Sequence, residues 1–271
     1  LAVALAGFAA FAVIERRQSE PMIDFSVFRI RRFSGALLGS AGMNCSFWPL
    51  MIYLPLYVQH GLGYSSLGTG LTLLAYTLPT LLMPPLAERL ALRYRADAVI
   101  PAGLLAIGAG FLLMLWGSHA DAASWLTILP GCLLAGTGLG LTNTPVTNTT
   151  TAAVPGERAG MASSIDISAR MVSLSVNIAL MGFILVEAIQ SALRQHVPAG
   201  IDAAALRAMA EGLSAGKGAG ALPAGVAKLA LAQGFGAVML YGGVAACLFA
   251  VASWLVFGAG RARQTAGQPM R

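Results

Sequence analysis

Six long apolar runs, separated by short polar links, constrain this chain more than any other feature of its sequence. A helix that crosses the roughly 30 Å hydrocarbon layer needs about 20 mostly apolar residues, because lipid offers no partner for backbone N–H and C=O groups. Each run is long enough, so the sequence predicts an all-α, polytopic membrane protein with six spans within residues 33–258. In chain order, the runs are Phe33–Val58, Ser65–Ala87, Ala98–Ser118, Trp125–Val154, Met161–Val186 and Gly234–Phe257.

The composition excludes a soluble domain and argues against a nucleic-acid partner. Hydrophobic residues make up 57% of the chain and charged residues 10%, and the mean hydropathy is +0.74. A soluble domain of this composition would have too much apolar surface to cover. The net charge of +6 is spread over links between the runs, whereas nucleic-acid binding needs basic residues on one face. The lipid bilayer is therefore the predicted surrounding.

Basic residues predict the orientation, because Lys and Arg near helix ends stay on the cytoplasmic side. Links 15–32, 88–97 and 155–160, together with the C-terminal tail, hold twelve arginines, whereas the alternate links 59–64 and 119–124 hold none. The remaining outer segment is long, and long loops translocate largely regardless of charge. The C-terminus is therefore expected to be cytoplasmic.

The two ends and one long loop complete the predicted organisation. Residues 1–14 are apolar but too short to span, and a doubly basic segment follows them, so we interpret them as the end of a truncated preceding helix and not as a signal peptide. An interfacial anchor is the alternative. Residues 15–32 are predicted to form a cytoplasmic linker, 188–232 a loosely ordered outer loop with a docking or lid role as its alternative, and 259–271 a cytoplasmic tail.

The six runs can be written as two sets of three, and an odd number of spans inverts the second set relative to the first. Inverted repeats whose first helix is interrupted by Gly or Pro mark the transport path in many carriers. Here the first run carries Pro49 and Pro55, and the fourth carries Pro130 and Pro145. The pattern suggests a 3+3 inverted repeat, although Pro is common in membrane helices in general.

The fifth run carries a polar stripe. Asp166, Arg170, Ser173 and Asn177 are spaced by four, three and four residues, so they share one face of a helix. Ionisable side chains within a span are costly and usually face a bundle interior or a water-filled cavity, where they mark substrate, ion or proton paths. We therefore predict that the stripe lines a transport cavity, with Asp166 a candidate for proton coupling through its pairing with Arg170.

The alternative is that both charges reach the lipid headgroups at the cytoplasmic end and only fix the depth of the helix. At about 1.5 Å per residue from Gly160, Asp166 lies roughly 9 Å and Arg170 roughly 15 Å along the helix. These depths favour the cavity.

The fourth run is rich in small and hydroxyl residues. The Gly136 and Gly140 pair lets a neighbouring backbone approach closely, so tight helix packing is its predicted role. Asn143 and Thr147, which flank the proline of this run, could line a cavity or bond the carbonyls of their own helix. The predicted packing motif consists of Gly136, Gly138, Gly140 and Pro145.

The first run carries Asn44 and Trp48, which are four residues apart and are predicted to share a face. Trp48 lies at mid-depth beside a proline. It could form one wall of a site for a flat, lipophilic or cationic ligand, or it could pack as an ordinary membrane aromatic.

No enzymatic, cofactor or metal site is predicted. The three histidines lie in outer links or at helix ends, so a nucleophile and base pair is missing at membrane depth. Asp166 is the only acidic residue well inside a run, so a two-aspartate protease would lack its second carboxylate. The three cysteines have no metal-ligand spacing, and no Gly-rich phosphate loop is present.

Several motifs resemble the fourteen-helix drug/proton antiporter branch of the major facilitator superfamily, the EmrB/QacA-like transporters. The resemblance implies that the chain is the C-terminal half of such a transporter, with the end of helix eight and helices nine to fourteen. The missing N-terminal half of the same protein is then a required partner. The motifs are Glu15-Arg16-Arg17 with Pro21-Met22-Ile23-Asp24, Tyr53–Gln59 with Gly61–Ser65, Gly136–Gly140 with Pro145, and Gly160–Ser163 with Arg170.

The resemblance further implies an exporter of the bacterial plasma (inner) membrane that works by alternating access and exchanges protons for lipophilic, often cationic, small molecules. Two alternatives stay open: a metabolite or siderophore exporter on the same scaffold, and a non-transporting membrane scaffold protein.

The chain also departs from the family pattern. Glu88, Arg89 and Arg93 belong to a segment that resembles the family's short cytoplasmic loop between helices ten and eleven. Glu88 stands where Gly is usual and Leu92 where Asp is usual, so the conformational latch that such an Asp can provide is not expected here. Asp166 is not part of the family pattern, so its predicted role rests on the stripe.

Overall fold

The structure is a computed structural model that describes residue 7 and residues 24–44, 46–120, 123–196, 201–217 and 222–266. Apart from Gly7, the predicted truncated helix over 1–14 lies outside these ranges, as does the linker over 15–32 up to residue 23.

The described residues form nine α-helices and no β-strand, which confirms the predicted all-α fold. Four of them, α5, α6, α7 and α9, are long and apolar enough to cross a membrane, and the bent pair of α3 and α4 is a fifth candidate span. The chain is a multi-pass membrane protein. The helices are α1 (Arg31–Asn44), α2 (Phe47–Leu56), α3 (Ser66–Leu82), α4 (Pro84–Tyr94), α5 (Ala96–Ser118), α6 (Trp125–Ala152), α7 (Ala159–His196), α8 (Ala203–Ser214) and α9 (Ala224–Ala266).

The first predicted span is not one helix. α1 ends at Asn44, and α2 begins at Phe47 and passes into a π-helical turn over Tyr57–Gly61. Pro49 accounts for the break, because proline has no N–H to donate to the carbonyl four residues earlier and its ring crowds that carbonyl. The first run is thus interrupted close to a proline, as its sequence pattern suggested.

The second predicted span is bent. α3 and α4 meet at 45° around Met83, because Pro84 and Pro85 cannot donate to the carbonyls of the preceding turn. The helical path then continues to Tyr94, and only Arg95 separates α4 from α5. The segment predicted as a short loop is thus helical, and its cytoplasmic location stays a prediction. Its three named residues, Glu88, Arg89 and Arg93, are exposed on α4.

α6 packs closely on both α3 and α5 through its glycines. A Cβ atom on Gly136 would collide with the carbonyl oxygen of Tyr76 in α3, and one on Gly138 would lie 2.6 Å from the carbonyl oxygen of Gly103 in α5. Thr80 of α3 donates its hydroxyl to the carbonyl oxygen of Gly136 at 3.1 Å. These contacts are the close backbone approach that small residues permit in membranes.

The prolines of the fourth run do not interrupt it. Pro130 and Pro145 both lie within the uninterrupted helix α6, and Pro145 is buried. Neighbouring helices can hold a proline-containing membrane helix together, because they surround the backbone groups that proline leaves unbonded. The expectation that the first helix of each set is interrupted therefore applies to the first run and is wrong for the fourth.

The outer segment is largely helical. α7 continues past the predicted end at Val186 to His196, and α9 begins at Ala224, before the sixth run. α8 lies between them and buries Leu206, Ala210 and Leu213. In place of a loosely ordered loop, these three helical pieces form a packed cap. At the other end, α9 extends to Ala266, so the predicted tail begins as helix.

The linker before α1 contacts the connection between α6 and α7. Asp24 accepts a hydrogen bond from the backbone N–H of Ser26 at 2.9 Å and pairs with Arg158 at 2.8 Å. Beside this pair, Val27 is buried in a small apolar cluster that includes Ile165 of α7. The described part of the linker therefore contacts the α6–α7 connection through an ion pair and α7 through an apolar cluster.

Replacing Asp24 with asparagine is expected to lower the unfolding midpoint of the full-length protein more at pH 7 than at pH 3. The hydrogen bonds from Ser26, with the charge of Arg158, hold the pKa of Asp24 below its usual value. A depressed pKa stabilises the fold above the unfolded value of about 4 and loses that contribution as the pH falls through the folded value. Thermal unfolding of both proteins at the two pH values measures this, and an equal difference at both would contradict it.

Candidate functional site

The polar stripe of the fifth run lies on the packed face of α7. Asp166 is 3% exposed and Asn177 5%, whereas Ile167, Val172 and Val176 are 54%, 65% and 58% exposed. α7 therefore turns its apolar side outward and its polar side toward the neighbouring helices.

Asp166 and Arg170 form an ion pair one turn apart on α7. The Nε and Nη2 atoms of Arg170 lie 3.0 and 2.9 Å from Oδ2 of Asp166. The Arg170 side chain is only 16% exposed. It also donates to Asn143 Oδ1 at 3.0 Å and to Thr147 Oγ1 at 2.9 Å, both on α6. One guanidinium thus ties α6 to α7, and we refer to Asp166, Arg170, Asn143 and Thr147 as the Arg170 cluster.

The carboxylate of Asp166 uses one oxygen in this cluster. Its Oδ1 atom is buried and has no hydrogen-bond partner among the described residues. Buried polar atoms are almost always paired, so an unpaired one calls for a functional or structural reason. This oxygen is therefore the one atom of the Arg170 cluster that is buried without a hydrogen-bond partner among the described residues.

The second half of the stripe connects three helices. Asn44, the last residue of α1, donates its amide to Ser173 Oγ at 3.4 Å. Asn177 donates to the carbonyl oxygen of Ser173 at 2.7 Å and accepts from the hydroxyl of Tyr241, on α9, at 3.0 Å. The broken end of α1 is therefore linked through α7 to α9.

Trp48 does not share a face with Asn44, and that prediction is wrong. The chain leaves the helix between the two residues, and Asn44 is 6% exposed whereas Trp48 is 45% exposed. Trp48 is thus an accessible aromatic side chain near the break, and Asn44 belongs to the packed interior.

Two tyrosines were not predicted as part of this region. Tyr241 bonds Asn177, and Tyr53 of α2 donates its hydroxyl to the carbonyl oxygen of Ile178 at 3.3 Å. The sequence did carry a signal for these two residues, since each is a tyrosine in an otherwise apolar run. A buried tyrosine hydroxyl usually finds a hydrogen-bond partner.

The side chains of this region can bind polar and charged groups. It offers a cation, an acid and several amides and hydroxyls. In the described ranges, no group of three or more His, Cys, Asp and Glu side chains could hold a metal ion.

Comparison with known proteins shows the family to which the chain belongs. The family model described as Major Facilitator Superfamily matches residues 2–176. Multidrug resistance protein Stp of Mycobacterium tuberculosis is 31% identical over 194 residues, which cover 72% of this chain and 36% of that protein. Quinolone resistance protein NorB of Staphylococcus aureus is 31% identical over 184 residues, which cover 67% of this chain and 39% of that protein. The chain thus spans well under half the length of these relatives.

Proposed function

Because the chain belongs to the Major Facilitator Superfamily, we propose that it is the C-terminal half of a proton-coupled multidrug efflux antiporter that exports lipophilic or cationic compounds by alternating access. The names of two relatives, a multidrug resistance protein and a quinolone resistance protein, support drugs as the substrate class. In this proposal the N-terminal half of the same protein completes the transport path.

The Arg170 cluster is the observation that carries the proposal. A buried carboxylate pairs with a mostly buried guanidinium within an apolar helix, where charges are costly and mark ion or substrate paths. The two further hydrogen bonds of the guanidinium go to exposed residues of α6. The acid has a free, buried oxygen, so it can take up a proton. The base contacts a second helix, so a change in the acid reaches the contact between α6 and α7.

Charge balance explains how protons and cations would exchange. With Asp166 ionised, its charge and that of Arg170 cancel, and a cationic compound can enter without repulsion. A proton on Oδ1 removes the negative charge and leaves the guanidinium alone, which repels a cation in a partly dehydrated site. The two ligands thereby exclude each other, and reciprocal coupling of this kind is what antiport requires.

Trp48 supports the proposed ligand class. Its ring is 45% exposed beside the break between α1 and α2, and an accessible indole attracts flat and cationic groups through its face. Recognition by shape and aromatic contact also suits a transporter of several compounds.

The full-length protein in proteoliposomes tests the proposal. With a pH gradient imposed across the membrane, a lipophilic cation such as tetraphenylphosphonium should move against the proton flux, and an ionophore that dissipates the gradient should stop it. Movement of metabolites alone would favour the metabolite exporter, and a lack of transport of either class would favour the scaffold protein.

Replacing Asp166 with asparagine is expected to flatten the pH dependence of transport. Asparagine keeps the shape of the side chain and its contact with Arg170 but cannot exchange a proton. The measurement is the initial rate of cation export across a series of pH values. Glu211→Gln, on the exposed acid of α8 that pairs with Arg207, is the matched control. An unchanged profile for Asp166→Asn would make Asp166 a structural partner of Arg170 only.

A further inference from the structure

An apolar groove lies between α5 and α9, near the N-terminal end of α5, which Arg95 precedes. Its volume is about 310 Å³. Small side chains leave the space, and large ones border it: the lining includes Ala98, Ala102 and Leu105 of α5 and Ala250, Val251 and Trp254 of α9. The groove takes no part in the Arg170 cluster, which is built from α6 and α7.

The groove is open along its length and closed at one end by tight helix packing. Leu105, Val251 and Trp254 are 48%, 50% and 59% exposed. Further along, a Cβ on Gly108 would lie 2.5 Å from the sulfur of Cys247, so α5 and α9 touch there. The result is a blind, apolar slot on the surface of a membrane protein, with few polar groups that could orient a hydrophilic ligand.

Arg95 lies at the open end of this slot, one helical turn before Ala98. It is the one non-glycine residue with a positive φ in the described part of the chain, at 69°. This backbone region favours glycine, and a strained residue that is not glycine suggests a role for its side chain. The side chain is 62% exposed, and its Nε is 3.7 Å from Asp97 Oδ1, so its other nitrogens can bind an anion.

The surroundings of Arg95 are those of a membrane surface. On the adjoining α4, Leu92 is 83% exposed and Tyr94 55%, and the guanidinium of Arg93 lies 5.4 Å from the ring centre of Tyr94. Apolar and basic side chains alternate there, as on segments that lie at the headgroup level. The guanidinium groups of Arg93 and Arg95 therefore place positive charge at one end of an apolar slot.

We propose that this groove binds an anionic phospholipid, with one acyl chain along the alanines of α5 and α9 and the phosphate on Arg95. The basic end complements a negative headgroup, and clusters of arginine at the end of membrane helices attract anionic lipids. The slot complements the acyl chain. The proposal concerns lipid binding alone, so it stands whether or not the proposed export function does.

Native mass spectrometry of the purified full-length protein, with phosphatidylglycerol or phosphatidylethanolamine added, tests this site. One phosphatidylglycerol should be retained in preference to phosphatidylethanolamine. Ala102→Phe fills the slot and Arg95→Gln removes the charge, and each should reduce the retained phosphatidylglycerol by about tenfold. Ala109→Phe is the matched control, because Ala109 is an exposed alanine two turns further along α5. It should retain the lipid as the wild type does.

Arg95→Gly separates the headgroup contact from the fold. Glycine relieves the positive φ, so this variant should unfold at a temperature no lower than the wild type in lipid-free detergent. It should nevertheless lose the increase in unfolding temperature that phosphatidylglycerol gives to the wild type. Equal retention of both lipids by the wild type, or undiminished retention in Ala102→Phe and Arg95→Gln, would overturn the proposal. A third result would also overturn it: the wild type carries no lipid, and Ala102→Phe fails to assemble. The groove would then be filled by another part of the protein.

Discussion

Replacing Arg170 with alanine in the full-length protein is expected to abolish proton-dependent export while membrane insertion is retained. The guanidinium binds Asp166, Asn143 and Thr147, so its loss separates α6 from α7 at this level and leaves a buried carboxylate without a partner. Removing one member of a buried ion pair costs about 3–5 kcal/mol. With part of the side chain solvated, we expect a loss of roughly 3 kcal/mol in the free energy of unfolding. Thermal unfolding measures that loss, and initial export rates in proteoliposomes measure the loss of transport.

Two controls separate transport from folding. Arg207→Ala removes the base of another ion pair with a spacing of four residues, 3.0 Å long, whose side chains are more than half exposed. Exposed pairs contribute only about 0–1 kcal/mol, so export should be unchanged. The double variant Asp166→Asn with Arg170→Ala removes the unpaired charge, so it should regain thermal stability but not export. Wild-type export by Arg170→Ala would remove the Arg170 cluster from the transport mechanism.

Replacing Gly136 with alanine should destabilise the bundle strongly, although it adds a single methyl group. The new Cβ would collide with the carbonyl oxygen of Tyr76, and backbone cannot move aside as a flexible side chain can. α3 would have to separate from α6, which also breaks the hydrogen bond from Thr80 to Gly136. Overpacking of this kind costs on the order of 3 kcal/mol. The unfolding midpoint and the monodisperse yield of the full-length protein measure the effect.

Gly70→Ala is the comparison for Gly136→Ala. Gly70 lies on α3, and a Cβ there would meet nothing within 4 Å. Alanine is the better helix former, so this variant should be neutral or slightly stabilised. Equal unfolding midpoints for the two variants would show that α3 and α6 are packed less closely than the contacts of Gly136 indicate.

The membrane fold and much of the candidate site could be predicted because lipid penalises polar groups. The polar stripe with Asp166 and Arg170 stood out for that reason, and Asn143 and Thr147 stood out on another run. Their direct contact could not be predicted. Spacing within a helix shows which residues share a face, but the rotation of α6 against α7 depends on packing along their whole length.

The interruptions of the helices were harder to predict, since prolines with the same local chemistry behave differently. The chain leaves the helix just before Pro49 and bends at Pro84, yet α6 continues through Pro130 and Pro145. The local effect of proline is the same in each case. What differs is the support from neighbouring helices, and α6 lies between α3 and α5 with glycines at both contacts. That support is a property of the assembled bundle.

Helix ends outside the membrane were missed for a related reason. Apolar runs show only where lipid requires apolar residues, and a helix that enters water can continue with polar ones. Hence α7 extends ten residues beyond Val186 to His196. The amphipathic continuation of α7 buries Ile189 and Leu193. The apolar run alone did not predict this burial, because it became apparent only with α8 in the structure.

Because α7 is long, a small rotation near one end of it displaces the other end by a large distance. From Arg170 to His196 the helix rises about 39 Å at about 1.5 Å per residue, and the distal part carries α8. If α7 pivots near Arg170 as a stiff rod, a rotation of about 10° would sweep its far tip through about 7 Å, given the rise per residue. A small rearrangement of one guanidinium would then be magnified on the opposite face of the bilayer. A spectroscopic label on α8 could follow events at the buried pivot without disturbing them.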